Sequence, residues 1–324
     1  MTVDYPITKP HAIDEWARAE LTISCRDCDI IPKHPQAGKV EIDADGKKWQ
    51  TMHNGLLVEY GGYHGEWMAS IISALRGHHE PQEELAFSEV LKCLHGAPNM
   101  VELGAFWAYY SLWFQATFPQ GRSLMFEPDA AHLAIGQRNF ARNGITGHFE
   151  IAAAGLDGSA TFFDETQNRT CAVTTKSVST ICRERNIDFL DLLHMDVQGA
   201  ELSALIGAEP LIAEGKLRFV FVSTHHHLIS GDPLTHQKCL HWLSAHGAHI
   251  LCEHAVNESY SGDGLIVASF MKEDSDREIP VSHCRQSKSL FRELEFDLAE
   301  AKNLQTLFAN LSQPTQMQRR SVCG

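Results

Sequence analysis

An α/β fold, a doubly wound parallel sheet with helices on both faces behind a small N-terminal α+β extension, is predicted by three features of this sequence. From residue 99 onward short apolar runs alternate with helical patterns, as such a sheet requires. The run 100–103 ends in Gly104-Ala105 and is followed by a helical pattern over 109–118, which reads as strand, tight turn, helix. The next run, 124–126, ends in Glu127, 23 positions after Gly104. That is close to the interval of roughly 20 residues at which a Rossmann acid meets ribose hydroxyls. A right-handed crossover sets Gly104 and Glu127 side by side at the carboxyl edge of the sheet, where open α/β folds bind ligands.

An adenosine-type ligand suits that edge. A dinucleotide needs G-x-G-x-x-G, because bare backbone must approach its pyrophosphate, and the turn here is Gly104-Ala-Phe-Trp-Ala108. S-adenosylmethionine (SAM) has no phosphate and carries a sulfonium cation, so one glycine, carboxylates and aromatic faces fit it better. The other reading of Glu127 is a cap on the following helix.

Composition narrows the partners. Lys plus Arg is 27 and Asp plus Glu is 41 in 324 residues, a net charge of −14. That disfavours nucleic acid, whose binding is chiefly electrostatic. No run of about 18 apolar residues occurs and residues 1–10 lack a signal-peptide pattern. The expectation is a soluble, cytoplasmic protein with no membrane partner. Nine scattered cysteines do not form a secreted disulfide framework. Cys25-Arg-Asp-Cys28 is a lone C-x-x-C without a second pair at zinc-ribbon spacing.

Taken in order, the chain predicts a wrapping segment over 1–38 with a short helix at 13–21. A hairpin follows about Asp45-Gly46, then a third strand at 56–60. Trp67, Met68, Ile71, Ile72 and Leu75 share one face of a helix, and Pro81 suits the first turn of another over 82–94. After the opening unit come a helix at 130–142, a strand at 149–153 and a hairpin through Asp157-Gly158 to 163. Then follow a helix at 178–185, a strand at 190–195 ending in Asp196, a helix from 200 and a strand at 217–222. A helix at 234–246 and antiparallel strands at 249–252 and 265–270 close the sheet, since the loop between them is too short for a crossover. Residues 271–324 are polar, with a helix at 290–311 and a Gln- and Ser-rich tail. The boundaries read as an extension over 1–76, a sheet domain over 77–272 and a C-terminal segment over 273–324.

The sheet domain resembles the FkbM-type SAM-dependent methyltransferases from about residue 80 to 270. The resemblance rests on Val101-Glu-Leu-Gly-Ala105 with Tyr109-Tyr-Ser111, on Phe126-Glu-Pro128, on Ala152-Ala-Ala-Gly155, and above all on Leu193-His-Met-Asp196-Val-Gln-Gly199-Ala-Glu201. It implies a seven-stranded Rossmann-like sheet, SAM as methyl donor and O-methylation of hydroxyls on sugars, glycans or natural products. Glu127 would meet the SAM ribose, and the segment about Gly104, with Glu102, Ala105, Pro128 and Asp196, would hold the rest. Asp196 and Glu201 would lie near the reaction centre. Three motifs depart from the family pattern: the Gly-Ala-Asn-x-Gly turn, with Phe106 and Ala108; Asp-x-Glu-Gly, with Gln198; and the acid after the fifth strand, replaced by the His225 run.

Methyl transfer to a hydroxyl needs alignment and a proton acceptor. Asp196 and Thr224-His225-His226-His227 stand at neighbouring strand tips, and His225 and His227 share a face if the strand persists. Either histidine is then a candidate general base, because imidazole titrates near neutral pH. The alternative is a divalent metal held by Asp196, His225 and His227. His79, Glu80, Gln198, Glu201 and Asp263 are the candidate acceptor contacts for a small molecule or glycan. The rival functions are an NAD-dependent Rossmann oxidoreductase and a SAM-binding module without activity.

Overall fold

The computed structural model describes residues 15–164 and 169–284. The helix anticipated at 290–311 and the tail lie outside the described residues. The extension opens with α1 (Glu15–Ser24), a single turn over Asp27–Ile30, and a small antiparallel sheet of β1 (Val40–Ile42), β2 (Lys48–Thr51) and β3 (Leu57–Glu59). Asp43 fixes the first hairpin by accepting the N–H groups of Asp45 and Lys47 at 3.0 and 2.9 Å. Helices α2 (Glu66–Ala74) and α3 (Pro81–Leu91) lead into the main sheet, with Pro81 in the first turn, where its missing N–H costs nothing.

The main domain runs β4 (Asn99–Leu103), α4 (Tyr109–Thr117), β5 (Arg122–Glu127), α5 (Ala130–Arg142) and β6 (His148–Ile151). A side sheet follows, of β7 (Ala153–Ala154), β8 (Gly158–Asp164) and β9 (Arg169–Lys176). Next come α6 (Val178–Glu184), β10 (Leu190–Asp196), α7 (Glu201–Ala213), β11 (Leu217–Thr224), α8 (His227–Ser230), α9 (Thr235–Ala245), β12 (His249–His254) and β13 (Gly264–Ser269). The seven-stranded sheet has the order β12-β13-β11-β10-β4-β5-β6. Strand β13 alone runs antiparallel to its neighbours, as the short loop before it demands. The chain enters at β4, steps outward to β6, then returns to the other side of β4 with β10. The switch point therefore lies between the tips of β4 and β10, the crevice in which α/β sheets seat ligands.

Alternation along β4 divides the core. Met100 faces one layer with Phe87, Trp113, Phe114, Phe219 and Phe221, while Val101 and Leu103 face the other with Leu193, Val220 and Leu205. The extension belongs to the first layer. Asn139 of α5 and Asn143, which caps its C-terminus, fasten it by pairing with the backbone of Glu59 and Leu57 at 2.7–2.9 Å.

One expectation is displaced. Asp157-Gly158 does not turn a hairpin: Gly158 begins β8, which pairs with β9, while β7 lies parallel to β9. Asp157 instead accepts Ser177 N at 2.8 Å and Thr180 Oγ1 at 2.6 Å, tying that turn to the start of α6. Strand β9 escaped notice because only Val173 and Thr175 of its eight residues are buried, too short an inward row to stand out.

Candidate active site

Gly104 sits at the switch point with φ +75°, and a Cβ there would lie 1.8 Å from the carbonyl oxygen of Asp196. Only glycine lets the tips of β4 and β10 approach so closely. The N–H groups of Gly104 and Ala105 both donate to Phe126 O, at 2.8 and 3.1 Å, so the turn offers no nest for a phosphate. Glu127 Oε2 accepts Phe106 N at 3.1 Å and Oε1 accepts Asp129 N at 3.0 Å. The cap of α5 is Asp129, not Glu127. Burial pushes the Glu127 carboxyl up to about 7, because its N–H partners only partly replace water. Half-buried Pro128 separates the two acids.

Glu102 corrects the expectation of a cofactor contact. It is buried beneath the turn, its Oε2 accepting Ser111 N at 3.2 Å, and burial pushes its carboxyl up to about 7. Its place is under the start of α4. The turn itself is contorted, with Phe106 at φ +44° and Ala108 at φ +56°. The Phe106 ring stacks on His132 at 3.7 Å.

At the tip of β10 the Asp196 side chain is 33% exposed, enough to meet a ligand, and its Oδ1 lies 3.0 Å from His225 Nε2. His225 Nδ1 lies 2.6 Å from Glu201 Oε1, which also accepts Gly199 N at 3.0 Å. Asp263 Oδ1 stands 3.9 Å from His225 Nε2, and Asp263 Oδ2 accepts Arg18 of α1 at 2.9 Å. Burial opposes charge on the His225 ring, yet Asp263, Asp196 and Glu201 hold it protonated well above its ordinary range. Burial likewise opposes charge on Asp196, and the His225 bond overrides it, lowering the Asp196 carboxyl. Glu201 is fully buried, so it touches His225 and not an acceptor, contrary to expectation. Gln198 is exposed at φ +49° in the turn between them, free to face the mouth.

The pairing of His225 with His227 is also corrected. Strand β11 ends at Thr224, His226 caps α8 by accepting Leu228 N, and His227 opens that helix with its Nδ1 3.2 Å from His226 Nε2. The two rings therefore share no strand face. The triplet Asp196, His225 and His227 does not gather as metal ligands; among the described residues only His53, His78 and Glu84 bring ligand atoms within 4.8 Å of one another. That group is a hydrogen-bonded knot. His53 and His78 stack at 4.3 Å and 14°, so their in-plane lone pairs run side by side and do not converge on one ion at about 2.0–2.1 Å. Glu84 already accepts His78 Nδ1 at 2.5 Å, and His53 Nδ1 is occupied by Tyr109 OH at 2.9 Å.

Glu84 explains where His79 and Glu80 stand. Its Oε1 accepts the N–H groups of both, at 2.7 and 3.2 Å, folding the entry to α3 back on itself. His79 is thereby buried edge-on against Trp107 at 4.9 Å and does not line the mouth, a further correction. Burial opposes its charge, but Glu80 and Glu84 raise it to about 10. Glu80 accepts Tyr110 OH at 3.1 Å and, though burial opposes it, the His79 charge keeps its carboxyl low. Both thiols of the lone C-x-x-C are buried, and burial pushes Cys25 up to about 12.

Two residues of the extension were not anticipated. Arg18 reaches Asp263 over the Trp67 ring, and Tyr63 stacks on Trp107 at 4.7 Å and 5°, laying the extension against the 104–108 turn. The available signal was slight: Arg18 adjoins the buried face of α1, Ala19 and Thr22.

The donor set suits SAM. Carboxylates at the tips of β5 and β10, on either side of β4, with lone pairs to spare on Glu127, match hydroxyl donors and a cationic ligand, while the phosphate nest is absent from the turn.

Residues 95–250 match the family model described as "Methyltransferase FkbM domain". A catechol O-methyltransferase of Niastella koreensis is 35% identical over 66 residues, which is 20% of this chain and 30% of that relative, so this chain spans about a third of its length. Among solved structures, M. capricolum TrmK in complex with S-adenosyl-homocysteine aligns at 13% identity and TM-score 0.38, covering 72% of this chain and 88% of its own. The O-methyltransferase from Bacillus cereus in complex with SAH aligns at 15% and 0.36, covering 57% and 80%. No helix among the described residues is long and apolar enough to cross a membrane. The matched residues, 95–250, carry Gly104, Glu127, Asp196, Glu201 and His225 and are similar to the methyltransferase FkbM domain.

Proposed function

We propose that the protein is a SAM-dependent O-methyltransferase acting on a hydroxyl of a sugar, glycan or natural product. The observation that carries this reading is the half-exposed Asp196 carboxylate, set by His225 at the switch point beside Gly104 and one strand from Glu127. SAM, when bound, supplies an electrophilic methyl group on sulfur. Glu127 accepts its ribose hydroxyls, and the 104–106 turn packs against its methionine part. Asp196 accepts the hydroxyl proton of the acceptor as the new O–CH3 bond forms and the S–CH3 bond breaks, so atoms and charge balance. A cytoplasmic setting belongs to the same reading, supported by the buried thiols.

The donation of Gly104 N and Ala105 N to Phe126 O favours SAM over NAD. Calorimetry with S-adenosylhomocysteine (SAH) and with NADH tests the cofactor. SAH release from SAM with a panel of sugars and phenols tests the acceptor and speaks against an inactive module. Binding of NADH without SAH overturns the reading.

A further inference from the structure

Both ring nitrogens of His225 face a carboxylate. Nδ1 is 2.6 Å from Glu201 Oε1 and Nε2 is 3.0 Å from Asp196 Oδ1. A neutral imidazole has one N–H and would turn a lone pair toward one of these acids, whereas the doubly protonated ring donates to Glu201 and sets its positive charge 3.0 Å from Asp196 Oδ1, an ion-pair contact outside hydrogen-bond geometry. Glu201 cannot swing away, because it is fully buried in the first turn of α7 and the same oxygen accepts Gly199 N. We infer that Glu201 is a positioning residue: it holds His225 as an imidazolium, and the imidazolium holds Asp196, which takes the acceptor's proton. This rests on the reading of the edge as the methyl-transfer site.

The groups facing the ring come from every side. Glu201 lies on α7, Asp196 on β10 and Asp263 in the loop before β13, with Arg18 of α1 behind Asp263. His226 and His227 follow in the chain and turn into α8. Three acids against one guanidinium leave room for the ring's charge. An imidazolium has no lone pair, so His225 is not the general base, and turnover will not decline through the ordinary imidazole range near 6.5 on its account. The proton lost by the acceptor passes to Asp196, whose exposed side returns it to water.

The test is the ring titration of His225, read by long-range ¹⁵N–¹H NMR on the full chain from pH 5 to 9. The wild type is expected to keep both ring protons through pH 8. Glu201→Gln is expected to lower the proton affinity of the ring at least tenfold while SAH affinity, measured by calorimetry, changes less than twofold. Asp196→Asn, altered at a half-exposed site, is expected to lower it also and serves if the buried Gln variant does not fold. A single neutral tautomer in the wild type at pH 7, or a titration unmoved in the variants, overturns the inference. Failure of SAH to bind the wild type would instead remove the proposed function and leave the charge state of His225 standing.

Discussion

The two sides of the switch point are built from acids in opposite ways. On the β4–β5 side, Glu102 and Glu127 are held by backbone N–H groups, and the His132 ring stands off from Glu127 at 3.9 Å, so burial drives both carboxyls up to about 7. On the β10–β11 side, Asp196 and Glu201 meet an imidazole and Asp263 meets a guanidinium, so charge is matched by charge. The first arrangement suits a ligand that brings its own donors and positive charge. The second suits a reaction in which a proton must move, since its carboxylate is kept ionised beside a fixed cation. The proposed function thus puts binding and chemistry at different strand tips.

The sharpest way to break that division is Asp196→Asn. With Asp196 as proton acceptor, turnover on the hydroxyl acceptor identified in the panel is expected to fall by about 10²–10⁴, the usual worth of a positioned acid or base. SAH affinity should change little. If affinity collapses and turnover per bound complex does not, the β10 tip binds and does not catalyse.

Next in size is Glu127→Ala: if Glu127 is the charged acceptor for two ribose hydroxyls, as proposed, it is expected to cost about 1.5–3 kcal/mol in SAH affinity. The pH dependence has a definite sign. Glu127 in the free protein titrates at about 7, and the ionised form is the better acceptor, so SAH binding should weaken as pH falls through 7. The weakening should be absent in Glu127→Gln. Calorimetry at pH 6 and pH 8 checks both, and an affinity unchanged by either substitution would mean that Glu127 serves only Phe106 and Asp129.

The same division separates what was legible in the sequence from what was not. The β4–β5 side is local: strand period, one glycine and an acid 23 positions later suffice to place Gly104 and Glu127 at one edge. The opposite side is assembled from α1, the loop before β13, α7 and two strand tips, and no spacing rule links Arg18 to Asp263 across 245 residues. His227 misled because apolar periodicity marks where a strand lies and not where it stops; the His226 side chain, capping α8, ends the extended run. His79, Glu80 and Glu201 have the composition of ligand-binding residues. Burial, which composition does not report, makes them internal partners instead.

The smallest expected effect concerns Ala108, where the family pattern has glycine. Ala108 adopts φ +56°, a left-handed backbone that costs an L residue roughly 1–2 kcal/mol relative to the right-handed form. Gly136 of α5 is what admits its methyl group, for a Cβ at Gly136 would lie 2.9 Å from the Ala108 Cβ. Ala108→Gly relieves the strain but frees the unfolded chain, which returns about 0.4–1 kcal/mol, so a net gain between about 0 and 1.6 kcal/mol is expected. The neighbouring turn, not the proton-handling tip, would feel it. Gly136→Ala alone should destabilise, and less so in the Ala108→Gly background, by a coupling of about 0.5–1 kcal/mol for residues in contact. Denaturant unfolding of the four proteins measures that coupling. Additive effects would mean that the methyl group of Ala108 and the missing side chain of Gly136 are unrelated, and that the remaining tight neighbours of Gly136, Phe106 O at 3.2 Å and Phe149 at 3.3 Å, set its requirement for glycine.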